Sequence, residues 1–240
     1  MIGSIRGSTK RPKDEAEKPF WISYADLMTA MMVLFLVVMS FAMLSVTKKI
    51  AEDQSGQQQL DKDIAEVMRG FADAAALFPG IKVDASRHVI DFGSQALFAF
   101  KKSTLTLEQE RLLRRFAPEI LRRANTDLGR RVLKRIVIEG FTDTTGTYLG
   151  NLSLSLERSE RVLCALLDAS TAGEVPLTKE EKQQIRDLFL VGGYSYNAGK
   201  ATSEESRRVE MRLEFLSLGE KRPEAAPGTG ADLGVCALAK

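Results

Sequence analysis

The chain changes its hydrophobic period twice, and the changes divide it into segments. Residues 1–19 are polar and show no apolar repeat, which reads as a cytoplasmic disordered tail. From Leu27 to Val46 there follow 20 residues without a charge. As a helix rising about 1.5 Å per residue, that run covers about 30 Å, the hydrocarbon thickness of a bilayer. Phe20, Trp21 and Tyr24 at its entry form an interfacial aromatic belt, so a transmembrane helix is expected over residues 20–47. Ser40-Phe41-Ala42 faintly resembles a signal cleavage site, but the apolar core is longer than the usual ~7–15 residues of a signal peptide.

Residues 48–60 are again polar. Ile64, Val67, Met68, Phe71, Ala75 and Phe78 then recur at helical spacing and stop at Pro79-Gly80. Residues 48–80 thus read as a linker and an amphipathic helix, which docks on the following domain, lies at the membrane or plugs a channel. Beyond Ile81 the period shortens to two. Ile81–Ala85 and His88–Phe92 alternate like two strands around a short turn. Leu105–Leu121 is helical, Arg135–Gly140 a short buried strand and Leu154–Leu167 a helix. Lys179–Phe189 is a further helix with Thr178 as its N-cap, and Val209–Phe215 a strictly alternating strand. That order predicts an α/β fold, a two-layer sandwich with helices on one face, over residues 81–219. Residues 220–240 are rich in Ala, Gly and Pro and read as a disordered tail.

Within the membrane run one residue breaks the pattern. Asp26 sits at its entry, and a charged acid costs roughly 2.5–3.5 kcal/mol at the centre of a bilayer. As a headgroup-level flanking charge it needs no further role; inside the hydrocarbon it must be neutral, paired or facing water. Ser23, Asp26, Thr29, Ala30, Val33, Val37 and Ser40 lie on one helical stripe of small and hydroxylated residues, the surface by which membrane helices meet other helices. Five basic residues precede the run (Arg6, Lys10, Arg11, Lys13, Lys18), against Lys48 and Lys49 just after it. This bias puts the N-terminus in the cytoplasm and residues 48–240 across the membrane, in a periplasm where the cell has one.

Composition removes several function classes. The 240 residues carry 34 Lys and Arg against 32 Asp and Glu, and the net charge of +2 gives no nucleic-acid footprint. Cys164 and Cys236 have no metal-site spacing; one bond between them is open in an oxidising compartment. His88 is the lone histidine and reads as a surface strand residue. With no phosphate loop and no catalytic constellation, the sequence argues for no enzyme, no metal and no bound cofactor.

Two stretches carry a resemblance. Pro19 to Thr29, with Tyr24-Ala25-Asp26-Leu27-Met28-Thr29, resembles the start of the single-span stator proteins, MotB of the flagellar motor and ZorB of the Zorya anti-phage system. Extended from Glu17 to Met32, the likeness is closer to the ZorB branch. Ile136–Gly146, then Asn151, Leu154-Ser155 and Arg158, and later Arg207-Arg208-Val209-Glu210, resemble the OmpA-like peptidoglycan-binding domain. The chain departs from that pattern at Phe141, where His or Tyr is common, and at Ser206, where Asn is common.

The resemblance implies an inner-membrane subunit with a periplasmic wall-binding domain. Asp26 would carry a translocated proton or sodium ion, with Ser23, Tyr24 and Thr29 beside the ion path. A MotA- or ZorA-like multi-span protein would form a ring around a homodimer of this chain. Peptidoglycan would be held by Asp143, Asn151, Leu154, Arg158, Thr142 and Arg208. The diaminopimelate of Gram-negative stem peptides presents an ammonium beside a carboxylate, so its site needs an acid and a base at fixed separation. Asp143 would take the ammonium, and Arg158 would fork onto the carboxylate; an internal Asp143–Arg158 salt bridge is the plainer alternative. A flagellar stator and a passive wall tether remain the other functions compatible with these motifs.

Overall fold

The computed structural model describes residues 18–168, 176–223, 234 and 236. The tails expected at 1–19 and 220–240 fall largely outside these residues; residues 18 and 19 already belong to the first helix, α1 (Lys18–Ala76). The chain divides into two compact units, with the boundary between Gly56 and Gln57, and α1 crosses it.

In the first unit, α1 carries the expected apolar run. It is long and apolar enough to cross a membrane, with mean hydropathy 2.5 in its most apolar window and none of that window buried. Three hydroxyls, two of them in its stripe, bond backward along the helix. Thr29 Oγ1 donates to the Ala25 carbonyl at 2.7 Å, Ser40 Oγ to Leu36 at 2.7 Å and Thr47 Oγ1 to Met43 at 2.9 Å. Such i−4 bonds satisfy the hydroxyl without a partner helix.

The second unit begins earlier than the sequence motif. Val67, Met68, Phe71, Ala74 and Ala75 of α1 are buried, and the larger of them join one cluster with the rest of the domain. The amphipathic stripe therefore docks on the domain, the first of the three alternatives, and residues 57–76 belong to its core rather than to a linker. After Gly80, whose φ of +93° suits glycine alone, β1 (Lys82–Asp84) and β2 (Val89–Asp91) form an antiparallel hairpin. His88 lies in the turn at φ +54°, not in the strand, and meets the edge of Phe215 at 4.9 Å. A 3-10 turn (Gly93–Ala96) leads to α2 (Leu107–Ala124), opened by a capping box of Thr106 and Gln109.

The remaining elements are α3 (Asp127–Val132), β3 (Leu133–Gly140), α4 (Tyr148–Leu167), α5 (Lys179–Leu188), β4 (Phe189–Gly193), α6 (Ser203–Ser206) and β5 (Val209–Phe215). Thr178 caps α5 as expected, through a box with Glu181. Three elements were not foreseen: α3, α6 and β4, the last taken in part as the end of a helix. The sheet order is β1-β2-β5-β3-β4, with β3 and β4 parallel and the other pairs antiparallel. Ile136, Ile138, Met211, Leu213 and Ile90 share the helix-covered face with Phe116, Ile120, Val162, Leu166 and Ile185. The predicted two-layer α/β sandwich is present.

The other face of the sheet is charged. Glu139 and Glu210 lie opposite each other in the β3–β5 register and are almost fully buried. Arg212 Nε and Nη2 donate to the two Glu139 carboxylate oxygens at 2.5 and 2.9 Å. Arg208 Nε donates to Glu210 at 2.7 Å. Paired, hydrogen-bonded carboxylates survive burial where isolated ones do not.

Candidate functional site

In the first unit Asp26 is exposed on α1, with exposed Ser23, Tyr24 and Thr29 within a turn of it. It is the one charged residue between Trp21 and Thr47. Around it Trp21, Leu27 and Met28 present apolar surface. The arrangement holds one titratable oxygen pair on a face of otherwise uncharged side chains.

In the second unit the predicted wall-binding residues gather at one end of the sheet. The parallel strands β3 and β4 finish there and the antiparallel β5 starts there, so the loops 141–147, 194–202 and 207–208 converge. The outer ends of parallel strands are where α/β sheets commonly hold ligands. Close packing fixes the floor: a Cβ on Gly140 would lie 1.9 Å from the Ser155 carbonyl oxygen, so α4 seats directly on β3.

Asp143 Oδ1 accepts from the Thr145 amide at 3.0 Å, and Oδ2 accepts from Arg207 Nη1 at 3.2 Å. Burial raises this carboxyl's pKa, but the Thr145 amide and the Arg207 guanidinium outweigh it, so it ends below the ordinary carboxylate range. The Arg207 side chain is 17% exposed, and its Nε also donates to Phe98 O at 3.1 Å.

Arg158 lies at the same end of the sheet, where the Asp143 charge acts on it, but Asp143 pairs with Arg207 rather than with it. It is fully buried. Its Nε donates to Lys102 O at 2.9 Å, Nη1 to Phe141 O at 2.6 Å and Nη2 to Ala99 O at 3.4 Å, while the guanidinium lies 5.0 Å from the Phe98 ring centre. Burial lowers its pKa to about 10, with the Asp143 charge opposing. Arg158 thus ties loop 99–102 to the end of β3. These three bonds leave one N–H on each Nη.

The other predicted residues brace the same loops. Asn151 Nδ2 donates to Thr145 O at 3.1 Å. Thr142 is buried, its amide donates to Ser195 O at 2.9 Å, and its Oγ1 has no hydrogen-bond partner. Leu154 is half-buried on α4. Arg208 is buried, stacked 4.2 Å from the Phe141 ring centre, with Nη1 on Ala198 O at 3.1 Å and Nε on Glu210. Phe141, one of the departures from the family pattern, thus serves as the platform for Arg208. The residue missed is Arg207. Strand alternation was the available signal: Arg208 shares its parity with Glu210, which turns Arg207 to the other side.

Two non-glycine residues in these loops hold left-handed backbones, Lys101 (φ +54°) and Ser195 (φ +53°). Such strain persists where surrounding contacts over-determine it. Ser195 is fully buried and bonded through its amide, its carbonyl and its hydroxyl. Among the described residues no group of three or more His, Cys, Asp or Glu is arranged to hold a metal ion.

Cys164 and Cys236 form a disulfide across a separation of 72 residues, which settles the pairing left open by the sequence.

Comparison with known proteins bears on both units. Residues 6–55 match the family described as the membrane MotB of the proton-channel complex MotA/MotB. Among solved structures, a MotB-like protein of Desulfovibrio vulgaris is 21% identical, with 67% of this chain and 96% of that one covered at a TM-score of 0.44. The periplasmic domain of Helicobacter pylori MotB is 19% identical, covering 54% and 79% at a TM-score of 0.34. The Zorya protein ZorB of Escherichia coli O139:H28 (strain E24377A / ETEC) is 46% identical over 226 residues, 94% of this chain and 92% of that protein. With identity of that level sustained from the membrane helix through the sheet domain, the chain belongs to the ZorB family.

Proposed function

We propose that this protein is the ion-carrying, wall-anchored subunit of a membrane motor that serves Zorya anti-phage defence. The observation that carries the reading is Asp26, the single charge in an exposed, uncharged helical face of membrane-spanning length. A passive tether has no use for an acid there. Protonation, or pairing with sodium, removes the desolvation cost of the carboxylate and lets neighbouring helices move past it. Each unit charge that crosses 100 mV releases about 2.3 kcal/mol to drive such movement. The partner is a multi-span, ring-forming protein of the MotA or ZorA type, around two copies of this chain.

The second unit is the anchor, on the periplasmic side. The bias of basic residues to the N-terminal flank supports that orientation, as does the Cys164–Cys236 disulfide, a bond that persists in oxidising compartments. Its ligand is the zwitterionic end of a stem peptide. Asp143 is the acid for the ammonium, and Arg207, already on Asp143 and partly exposed, is the nearer base for the carboxylate. Arg158 sets the loops beneath them.

The test is Asp26→Asn, co-expressed with the ring-forming partner. An amide keeps size and shape but cannot titrate. The complex should assemble and purify as the parent does, while ion flux and protection against phage are lost. An assembled complex with parental flux would falsify the ion-carrier role.

A further inference from the structure

Resting on the wall-binding reading, we propose that Tyr148 is a stacking platform for a sugar ring of the glycan strand that carries the stem peptide. Tyr148 opens α4 directly after the Asp143 loop, behind the N-cap Thr147, and is 42% exposed. An exposed aromatic is ordinary; one held this firmly is not. Its ring meets Tyr196 edge-on at 5.6 Å, and its hydroxyl accepts from Asn197 Nδ2 at 3.2 Å. Its carbonyl accepts from Ser195 Oγ at 3.2 Å.

Ser195 is what joins this ring to the acid. The same residue's carbonyl accepts from the Thr142 amide at 2.9 Å, next to Asp143, and its own amide donates to Ser155 Oγ at 3.0 Å. Its left-handed backbone is thereby locked between the two segments. The ring and the carboxylate are therefore held in one frame, with neither on a free loop. A stem peptide is covalently attached to a sugar, so a ligand seated at Asp143 brings pyranose C–H faces within the neighbourhood of that frame. An aromatic face is electron-rich and apolar, and it receives such C–H groups while the sugar hydroxyls stay in water. Asn197 and the phenol oxygen stand at the ring's edge as hydrogen-bonding groups for those hydroxyls.

The experiment compares two probes on the full chain in detergent, by calorimetric titration. One is a disaccharide–tetrapeptide released from purified peptidoglycan; the other is the same tetrapeptide freed of sugar by an amidase. The parent should bind the disaccharide form about two- to tenfold more tightly, the range that one aromatic contact supplies. Tyr148→Ala should abolish that difference and leave the sugar-free peptide's affinity unchanged. Tyr148→Phe, which keeps the ring and loses the bond to Asn197, should retain most of the difference. Equal parental affinity for the two probes overturns the sugar contact and leaves the wall reading standing. So does a Tyr148→Ala variant that weakens both probes alike. Binding of neither probe by the parent overturns the wall reading and the sugar contact together.

Discussion

Cutting the chain at the start of its recognisable α/β motif should ruin the domain. A fragment of residues 81–240 keeps every residue that carries the OmpA-like resemblance, yet lacks the part of α1 that the core is built on. Val67 is 6% exposed, Met68 2% and Phe71 0%. Burying side chains of this size contributes about 1.5–3 kcal/mol each, so the three together supply about 4.5–9 kcal/mol. A compact unfolded state lowers that figure by about a third. What remains is still comparable to the whole stability of an ordinary domain, about 5–15 kcal/mol. The assay is urea unfolding followed by circular dichroism, on residues 57–240 and 81–240 side by side. The longer fragment should unfold in one cooperative transition. The shorter one should show no transition, or bind a hydrophobic dye without near-ultraviolet signal. Phe71→Ala in the longer fragment is the finer version: a loss of about 3–5 kcal/mol, which at a slope of about 2 kcal/mol/M moves the midpoint down by about 2 M. Equal midpoints and slopes for the two fragments would refute the assignment of residues 57–76 to the core.

Three further outcomes follow from the site and its surroundings. Asp143→Ala and Arg207→Ala should each weaken pull-down by purified peptidoglycan about tenfold or more, as expected when one partner of a charge-assisted bond is removed; retention at parental levels with intact dichroism would exclude the pair. The Asp143 carboxyl lies below its ordinary pKa, so its contribution is full above the unfolded value of about 3.9 and is lost as pH falls through the lower folded value. Wall binding should therefore stay level from pH 7 to about 5 and decline only below about 4, and a midpoint near 6 would contradict this. Cys164→Ser paired with Cys236→Ser should cost about 4 kcal/mol through the loop the bond closes, read as a lower melting temperature, with pull-down unchanged below the melt.

The sequence was most legible where one face of an element is buried and the other wet. α2 and β5 repeat at 3.6 and 2.0 residues with few interruptions, and both stand where their patterns place them. β4 escaped because Phe-Leu-Val-Gly-Gly follows α5 with no turn residue between them, and its glycines have low strand preference. α4 begins six residues before the apolar repeat does, since Tyr148-Leu-Gly-Asn-Leu-Ser puts polar and small residues in the first turns, where Thr147 caps the helix. At the site, residue identity pointed to loops that the fold brings together and could not name the partners. A guanidinium on a helix reads the same whether or not it binds backbone carbonyls, and only the packing of loop 99–102 shows that Arg158 binds three of them. Nor does a pattern of polar residues reveal that Glu139 and Glu210 are buried, because Arg212 and Arg208 cover them from the side of the sheet that looks exposed.

The membrane helix has a polarity of its own that concerns neither its charge nor its dipole. Thr29 and Thr47 are 18 residues apart, five whole turns at 3.6 residues each, and so stand in line along about 27 Å, with Ser40 close to the same line. Each spends its one O–H on its own helix. Toward any neighbour these hydroxyls offer lone pairs and no proton. A neighbouring helix that faces this line with hydroxyls bonded the same way finds only acceptors opposite acceptors. It gains a hydrogen bond, worth about 0.6 kcal/mol in a bilayer, only if one hydroxyl turns away from its carbonyl. An N–H donor on a neighbouring helix meets no such obstacle.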